Sequence, residues 1–319
     1  MKRILALVLL SLSLHASAQD YVTLKQKADT LAQEKAYAKA VEAYRAAFVL
    51  DHSNSTDLYN AACSAALAGQ NDQAFAWLQQ TVKSAEFEAE EYQQDSDLSS
   101  LRNDPRWQAL MNALAQKKAE IEKAYDKPLQ QQLLKIFQSD QKERAQIQAT
   151  QQKYGLDSKE VKALFEAMRK TDEANLVEIK AILDQHGWVG PNKVGPRANQ
   201  TLFLVIQHSD LATQQKYLPM MREAVKNKNA SASDLALLED RVAIGEGKRQ
   251  LYGSQLQSDS KGKMRLMPVA DPDKLDQRRL AIGLPPIADY LKNWNMNWDL
   301  VEFKKAWDQE ELAKNKAGK

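Results

Sequence analysis

The sequence predicts a mainly α-helical protein: helical hairpins at the N-terminus, then a larger helical domain with one small β-hairpin. Three observations carry this reading. Small residues recur 34 positions apart within residues 20–84, the self-similarity of stacked helix pairs. Glycine (11) and proline (9) are scarce among 319 residues, which leaves few breaks and excludes collagenous or low-complexity classes. Only residues 249–257 and 263–269 read as strands, paired about a turn at Lys261-Gly262.

The first element, residues 1–18, carries Lys2 and Arg3, an apolar run from Ile4 to Leu14, and a small-x-small site at Ala16-Ser17-Ala18. This is the pattern of a bacterial secretory signal peptide, and it predicts a periplasmic or secreted product. The apolar run is too short for a membrane span, which needs about 20 residues, and no later stretch reads as one. Removing the segment takes away two of the 44 basic residues and none of the 42 acidic ones. The resulting neutral chain argues against a nucleic-acid partner. Cys63 is the only cysteine, so there is neither an internal disulfide nor a cysteine-based metal cluster. It reads as a small buried hydrophobe. The sequence carries no metal or cofactor signature.

Residues 19–126 form the first predicted domain. Ala28 matches Ala62, Ala40 matches Ala74, and Tyr44 matches Leu78, each 34 residues apart. Small residues at the first two positions let helices approach, and a large one at the third fills the groove between pairs. This pattern resembles the tetratricopeptide repeat, although an ordinary pair of helical hairpins suits the same residues. Asp95 to Trp107 resembles a segment that closes such repeats in exported bacterial proteins, with Asp104 and Pro105 as helix cap and first helical residue. The resemblance implies a groove for a protein or peptide partner.

Residues 127–319 form the second predicted domain, with a break at Lys127-Pro128. Asp157 and Glu160 read as a helix start, and Gly187 as the end of that helix at His186. From Arg197 to His208 a helix carries five consecutive apolar residues, Leu202 to Ile206. A helix apolar on every side is buried on every side. Its end delivers Gln207, His208 and Asp210. Asp240-Arg241 lies on a later helix that is apolar on two faces, so these charges are expected to be partly buried and paired. Along the first strand of the hairpin, Gln250 and Tyr252 share a face.

These motifs are Gln207-His208-Ser209-Asp210, Asp240-Arg241, Gly247 to Gln255 with Tyr252-Gly253, and Arg278-Arg279 before Gly283-Leu284. They resemble an uncharacterised bacterial domain found in exported proteins. The resemblance covers roughly 135–292, extends to Asp140-Gln141 with Arg144, and implies no activity.

Function therefore rests on the residues. His208 can transfer a proton near neutral pH, or it can stabilise a helix C-terminus. Asp240 and Arg241 can position a substrate, or form a buried ion pair. Gln207, Asp210, Gln250, Tyr252, Gln255, Arg278 and Arg279 complete a polar set suited to a small polar ligand. Two readings stand. One is a binding protein, with repeats holding a partner and the second domain holding a polar ligand. The other is an extracytoplasmic hydrolase in which His208 is the general base, oriented by Asp240, with Arg241 or Arg279 stabilising negative charge. No Gly-x-Ser-x-Gly or His-Glu-x-x-His motif is present.

Overall fold

The computed structural model describes residues 20–50, 54–83, 89–258 and 264–307. The expected signal peptide, the Lys261-Gly262 turn and the C-terminal tail lie outside these. Among the described residues the chain is mainly α-helical, with one two-stranded sheet. It divides into two compact units between Lys123 and Ala124.

The first unit starts with helix α1 (20–33), followed by α2 (Tyr37–Leu50), α3 (Ser55–Leu67) and α4 (Asn71–Thr81). All six residues of the 34-residue match are buried. The agreement extends further. The buried set of α2 (Ala40, Val41, Ala43, Tyr44, Ala47) maps, 34 residues on, onto that of α4 (Ala74, Phe75, Trp77, Leu78, Thr81). The turns repeat as well. Lys35 and Gly69 both have positive φ, 61° and 72°. The amides of Lys35 and Ala36 donate to Ala32 and Leu31, as those of Gly69 and Gln70 donate to Ala66 and Ala65. Glycine adopts this conformation freely, whereas at Lys35 it costs about 1 kcal/mol.

A third helix of this spacing, α6 (Pro105–Ile121), follows α5 (Ala89–Gln94) and a 3-10 turn, Ser96–Leu101. Asp104 caps α6 by accepting from the Arg106 amide. The buried positions of α6 (Trp107, Leu110, Met111, Leu114) leave the register of α2 and α4, so this segment seals the core rather than repeating it. Cys63 is buried there, and burial pushes its thiol up, out of the reactive range.

The second unit is built around one helix. Its elements are α7 (Lys127–Arg144), α8 (Ile147–Tyr154), α9 (Lys159–His186), α10 (Pro191–Val194), α11 (Pro196–Gln207), α12 (Leu211–Lys226) and α13 (Ala232–Gly245). After these come strands β1 (Leu256–Ser258) and β2 (Met264–Leu266), α14 (Leu275–Ala281), α15 (Ile287–Lys292) and α16 (300–307). Helix α11 buries Leu202, Phe203, Val205 and Ile206, and packs on α7, α9, α12 and α13. Each such side chain contributes about 1.5–3 kcal/mol by leaving water. Helix α9 starts one residue later than expected: Ser158, not Asp157, caps it by accepting from the Val161 amide. A smaller core of Leu266, Val269, Leu275, Ile287 and Leu291 underlies the hairpin, and Trp298 packs against it. Trp294 is exposed.

The hairpin is shorter than the sequence suggests. Strands β1 and β2 pair antiparallel over three residues each, with Leu256 opposite Leu266. Residues 249–255 form a loop instead, joined to the second segment by an isolated Gln250–Val269 bridge and by hydrogen bonds of Met267 with Gln250 and Gln255. The amides of Leu251, Tyr252 and Ser254 donate to the Asp240 carboxylate rather than to a neighbouring strand. Gly253 at φ 68° turns the chain.

Candidate functional site

Helix α11 delivers the site. Its buried body ends in Gln207, 5% exposed, and the chain then emerges at His208, whose side chain is 23% exposed. Two residues on, Asp210 accepts from the Thr213 amide at 2.7 Å and caps α12. That task accounts for its carboxylate, which the capping amide holds below the usual range.

Facing His208 are the last turns of α7. His208 Nδ1 lies 3.1 Å from Asp140 Oδ1 and 3.3 Å from Arg144 Nε. One ring nitrogen cannot donate to a carboxylate and accept from a guanidinium at once. The charge-assisted bond to Asp140 is the stronger, so we assign the proton to Nδ1. That assignment leaves Nε2 with its lone pair. Gln141 Nε2 donates to Asp140 Oδ2 at 2.7 Å. Burial works to raise the Asp140 carboxyl, but the His208 hydrogen bond and the Arg144 charge hold it below the usual range.

Arg144 ties this pair to α9. Its Nη2 donates to Asp172 Oδ1 at 2.7 Å, and its Nε lies 3.5 Å from Asp140 Oδ2. Burial lifts the Asp172 carboxyl despite the Arg144 charge. Asp140, Asp172 and His208 present oxygen and nitrogen atoms within 4.8 Å of one another, the donor set of a divalent-cation site. With the Arg144 guanidinium bonded among them, that set already faces a positive charge.

Arg241, on α13, reaches the end of α11. Its Nη1 donates to the Gln207 carbonyl at 3.1 Å. Among the described residues no carboxylate lies within ion-pair distance of it. Burial lowers its pKa, and the Arg144 charge lowers it further. Four buried side-chain atoms of the described residues lack a hydrogen-bond partner: Arg144 Nη1, Asn175 Nδ2, Gln207 Oε1 and Arg241 Nε. Three belong to the residues just described. Asn175 lies one turn along α9 from Asp172 and accepts from Ser139, the neighbour of Asp140. Such atoms are rare in native interiors, and their gathering marks a site.

The remaining sequence-predicted residues go elsewhere. Asp240, expected to orient His208, is 0% exposed and accepts from the amides of Leu251 (2.7 Å), Tyr252 (2.9 Å) and Ser254 (2.9 Å). Asp140 stands in its place beside His208. Asp240 and Arg241 do not form an ion pair with each other or with Arg278 or Arg279. Gln250, also 0% exposed, donates to the carbonyls of Gln255 and Met267 and accepts from the Gln255 amide. It staples the loop and shares no strand face with Tyr252. Gln255 Nε2 donates to Ser254 Oγ. Arg278 donates to the carbonyls of Leu251, Ala270 and Asp271. Arg279, 1% exposed, donates to those of Tyr252 and Pro285. These residues build a knot that fixes the hairpin, and the structure does not bring them to His208.

In the sequence Asp140 and Arg144 stand out only through the family resemblance, and Asp172 and Asn175 do not stand out. A signal existed. Asp172 and Asn175 continue the stripe of Ile179 and Ile182 on α9, so polar groups sit on a buried face. A shallow cavity of about 180 Å³ lies elsewhere, lined by Arg249, Val269, Pro272, Phe303, Lys304 and Trp307. The His208 cluster does not line it.

No curated protein and no solved structure matches the chain. Residues 127–301 match a family of unknown function, DUF6624. The matched segment contains the whole His208 cluster and the whole Asp240 knot. It spans more than half of the 319 residues, and the chain belongs to the DUF6624 family.

Proposed function

We propose that the chain is an exported, two-part binding protein. The helical hairpins of the first unit resemble tetratricopeptide repeats and engage a protein or peptide partner. The second unit holds a small polar ligand at the His208 cluster. One observation carries the second half of this reading: the half-buried Arg241 guanidinium has no carboxylate partner and leaves Nε unbonded. Asp240 and Arg279, more deeply buried, also lack an ion-pair partner among the described residues, but backbone amides and carbonyls satisfy them. A buried guanidinium donor left unmade at Arg241 is one that a ligand can take. The repeated burial set of α2 and α4 supports the first half. Native mass spectrometry of the processed chain, isolated from periplasm under gentle conditions, tests the ligand. A bound small molecule retained by the wild type and lost in Arg241→Met is the expected result. Equal retention by both forms overturns the assignment to this cluster.

A second reading, an extracytoplasmic hydrolase with His208 as general base, is favoured by the Asp140–His208 contact. A carboxylate on Nδ1–H leaves Nε2 free to take a proton. If this reading holds, His208→Ala abolishes turnover of an ester or amide panel without unfolding the protein. Absence of turnover by the wild type removes it.

A further inference from the structure

The ligand class can be read from the unbonded atoms of the site, given the binding reading above. We propose that the cluster binds a small oxyanion, a carboxylate or phosphate group bearing a neighbouring hydroxyl, held between Arg241 and Arg144.

Charge is the first argument. Arg144 uses one edge of its guanidinium, Nε and Nη2, on Asp140 and Asp172. Its Nη1, on the other edge, is buried and unbonded. Arg241 uses Nη1 on the Gln207 carbonyl and leaves Nε buried and unbonded. Two guanidinium groups thus offer N–H donors that no acid of the described chain takes. Guanidinium forks match the planar oxygens of carboxylate and phosphate.

The donor count is the second argument. Of the four unbonded atoms, Arg144 Nη1, Asn175 Nδ2 and Arg241 Nε are donors, and only Gln207 Oε1 is an acceptor. A cation would meet donors, and a neutral ligand would leave the Arg241 charge uncompensated. An oxyanion satisfies the donors, and an adjacent hydroxyl satisfies Gln207. Leaving a buried donor unmade is the expensive state, so the fold gains most from a ligand rich in acceptors.

Position is the third. The side chains of His208 and Arg144 are 23% and 14% exposed, so the edge of the cluster reaches the surface while its unbonded atoms are buried. The two available acids, Asp140 and Asp172, are both engaged on the Arg144 side. They screen the base of the site without compensating Arg241.

The test uses the processed chain and four probes: inorganic phosphate, lactate, glycerol and choline. Thermal unfolding is followed with each up to about 10 mM, where a ligand specific for the native state raises Tm in a saturable way. Phosphate or lactate is expected to stabilise the wild type, and glycerol and choline are not. The preferred anion distinguishes a phosphate-bearing from a carboxylate-bearing ligand. Arg241→Met should weaken the anion by about tenfold or more, equivalent to about 1.4 kcal/mol. Arg241→Gln reads the same interaction if the Met variant is insoluble, and phosphorus NMR line broadening on the wild type reads phosphate binding without any variant. No saturable anion effect, or one unchanged in both Arg241 variants, overturns the proposal. Failure of the two readings separates cleanly. A neutral molecule retained in native mass spectrometry, with no anion response, keeps the binding reading and removes the oxyanion. Nothing retained and no probe bound removes both.

Discussion

The peptide bond between Asp240 and Arg241 joins two regions of opposite character. Asp240 is fully buried, and three backbone amides saturate it. Around it Gln250 and Arg279, equally buried, spend their polar groups on loop carbonyls and amides. Arg241 is less buried, yet it leaves a guanidinium nitrogen unbonded, and so does Arg144, whose charge it feels. The two regions share a helix, and both are built of polar residues. What distinguishes them is satisfaction of hydrogen bonds rather than depth. A saturated polar knot holds a fold together, and an unsaturated one invites a ligand.

The largest effect should come from the saturated side. Asp240→Ala strips the amides of Leu251, Tyr252 and Ser254 of their acceptor. Each buried orphan costs about 1–3 kcal/mol, and the loss in a urea titration should reach about 3–5 kcal/mol. A loss below about 1 kcal/mol would erase the contrast between the regions. Arg279→Ala comes next. It removes the donors to Tyr252 and Pro285 and the cation held 5.0 Å from the Tyr290 ring. About 2–4 kcal/mol is expected by the same titration, and Arg279→Lys should recover little, because one ammonium cannot reproduce the fork.

The two regions also differed in how far the sequence revealed them. The burial of α11 was legible in five consecutive apolar residues, and the α2–α4 register in small residues 34 apart. These are local or periodic signals. His208 was legible too, as an imidazole at the end of a buried helix. Its partner was not: Asp140 lies 68 residues away in sequence, and nothing local distinguishes it from the i,i+4 pair it makes with Arg144. The hairpin was over-extended for the converse reason. Residues 249–255 alternate like a strand, but a carboxylate from α13 captures their amides. Tertiary hydrogen bonds override local pattern where a single buried acid can replace a ladder.

Asp234 extends the comparison along the same helix to a carboxylate without donors. It sits in the first turn of α13, and burial alone pushes its pKa up to about 6. The folded state therefore holds this proton more tightly than the unfolded chain, whose value is about 3.9. Stability from this group is fully present below pH 4 and is lost as pH rises through 6. Partial exposure and the positive end of the helix offset much of the shift. Asp234→Asn should then stabilise the protein by about 1 kcal/mol at pH 8 and leave it unchanged at pH 4. A gain of the same size at both pH values would mean that charge is not its source.

The smallest stability change, and the most telling, belongs to Arg241. Its removal takes one donor from the Gln207 carbonyl, which keeps a second at 3.2 Å from Gln214 Nε2. It also removes an unpaired charge from a half-buried place, and buried ions replaced by apolar groups of similar size are often neutral or stabilising. Arg241→Met should thus shift the denaturation midpoint by no more than about 1 kcal/mol in either direction. Arg279→Met, one saturated guanidinium away in the same unit, should lose as much as its alanine counterpart. Two arginines, the same substitution and opposite outcomes would locate the boundary between structure and site at the Asp240–Arg241 bond. If Arg241→Met instead unfolds the protein as Asp240→Ala does, Arg241 belongs to the knot. The unbonded atoms around it would then be a cost of packing, with no ligand to relieve them.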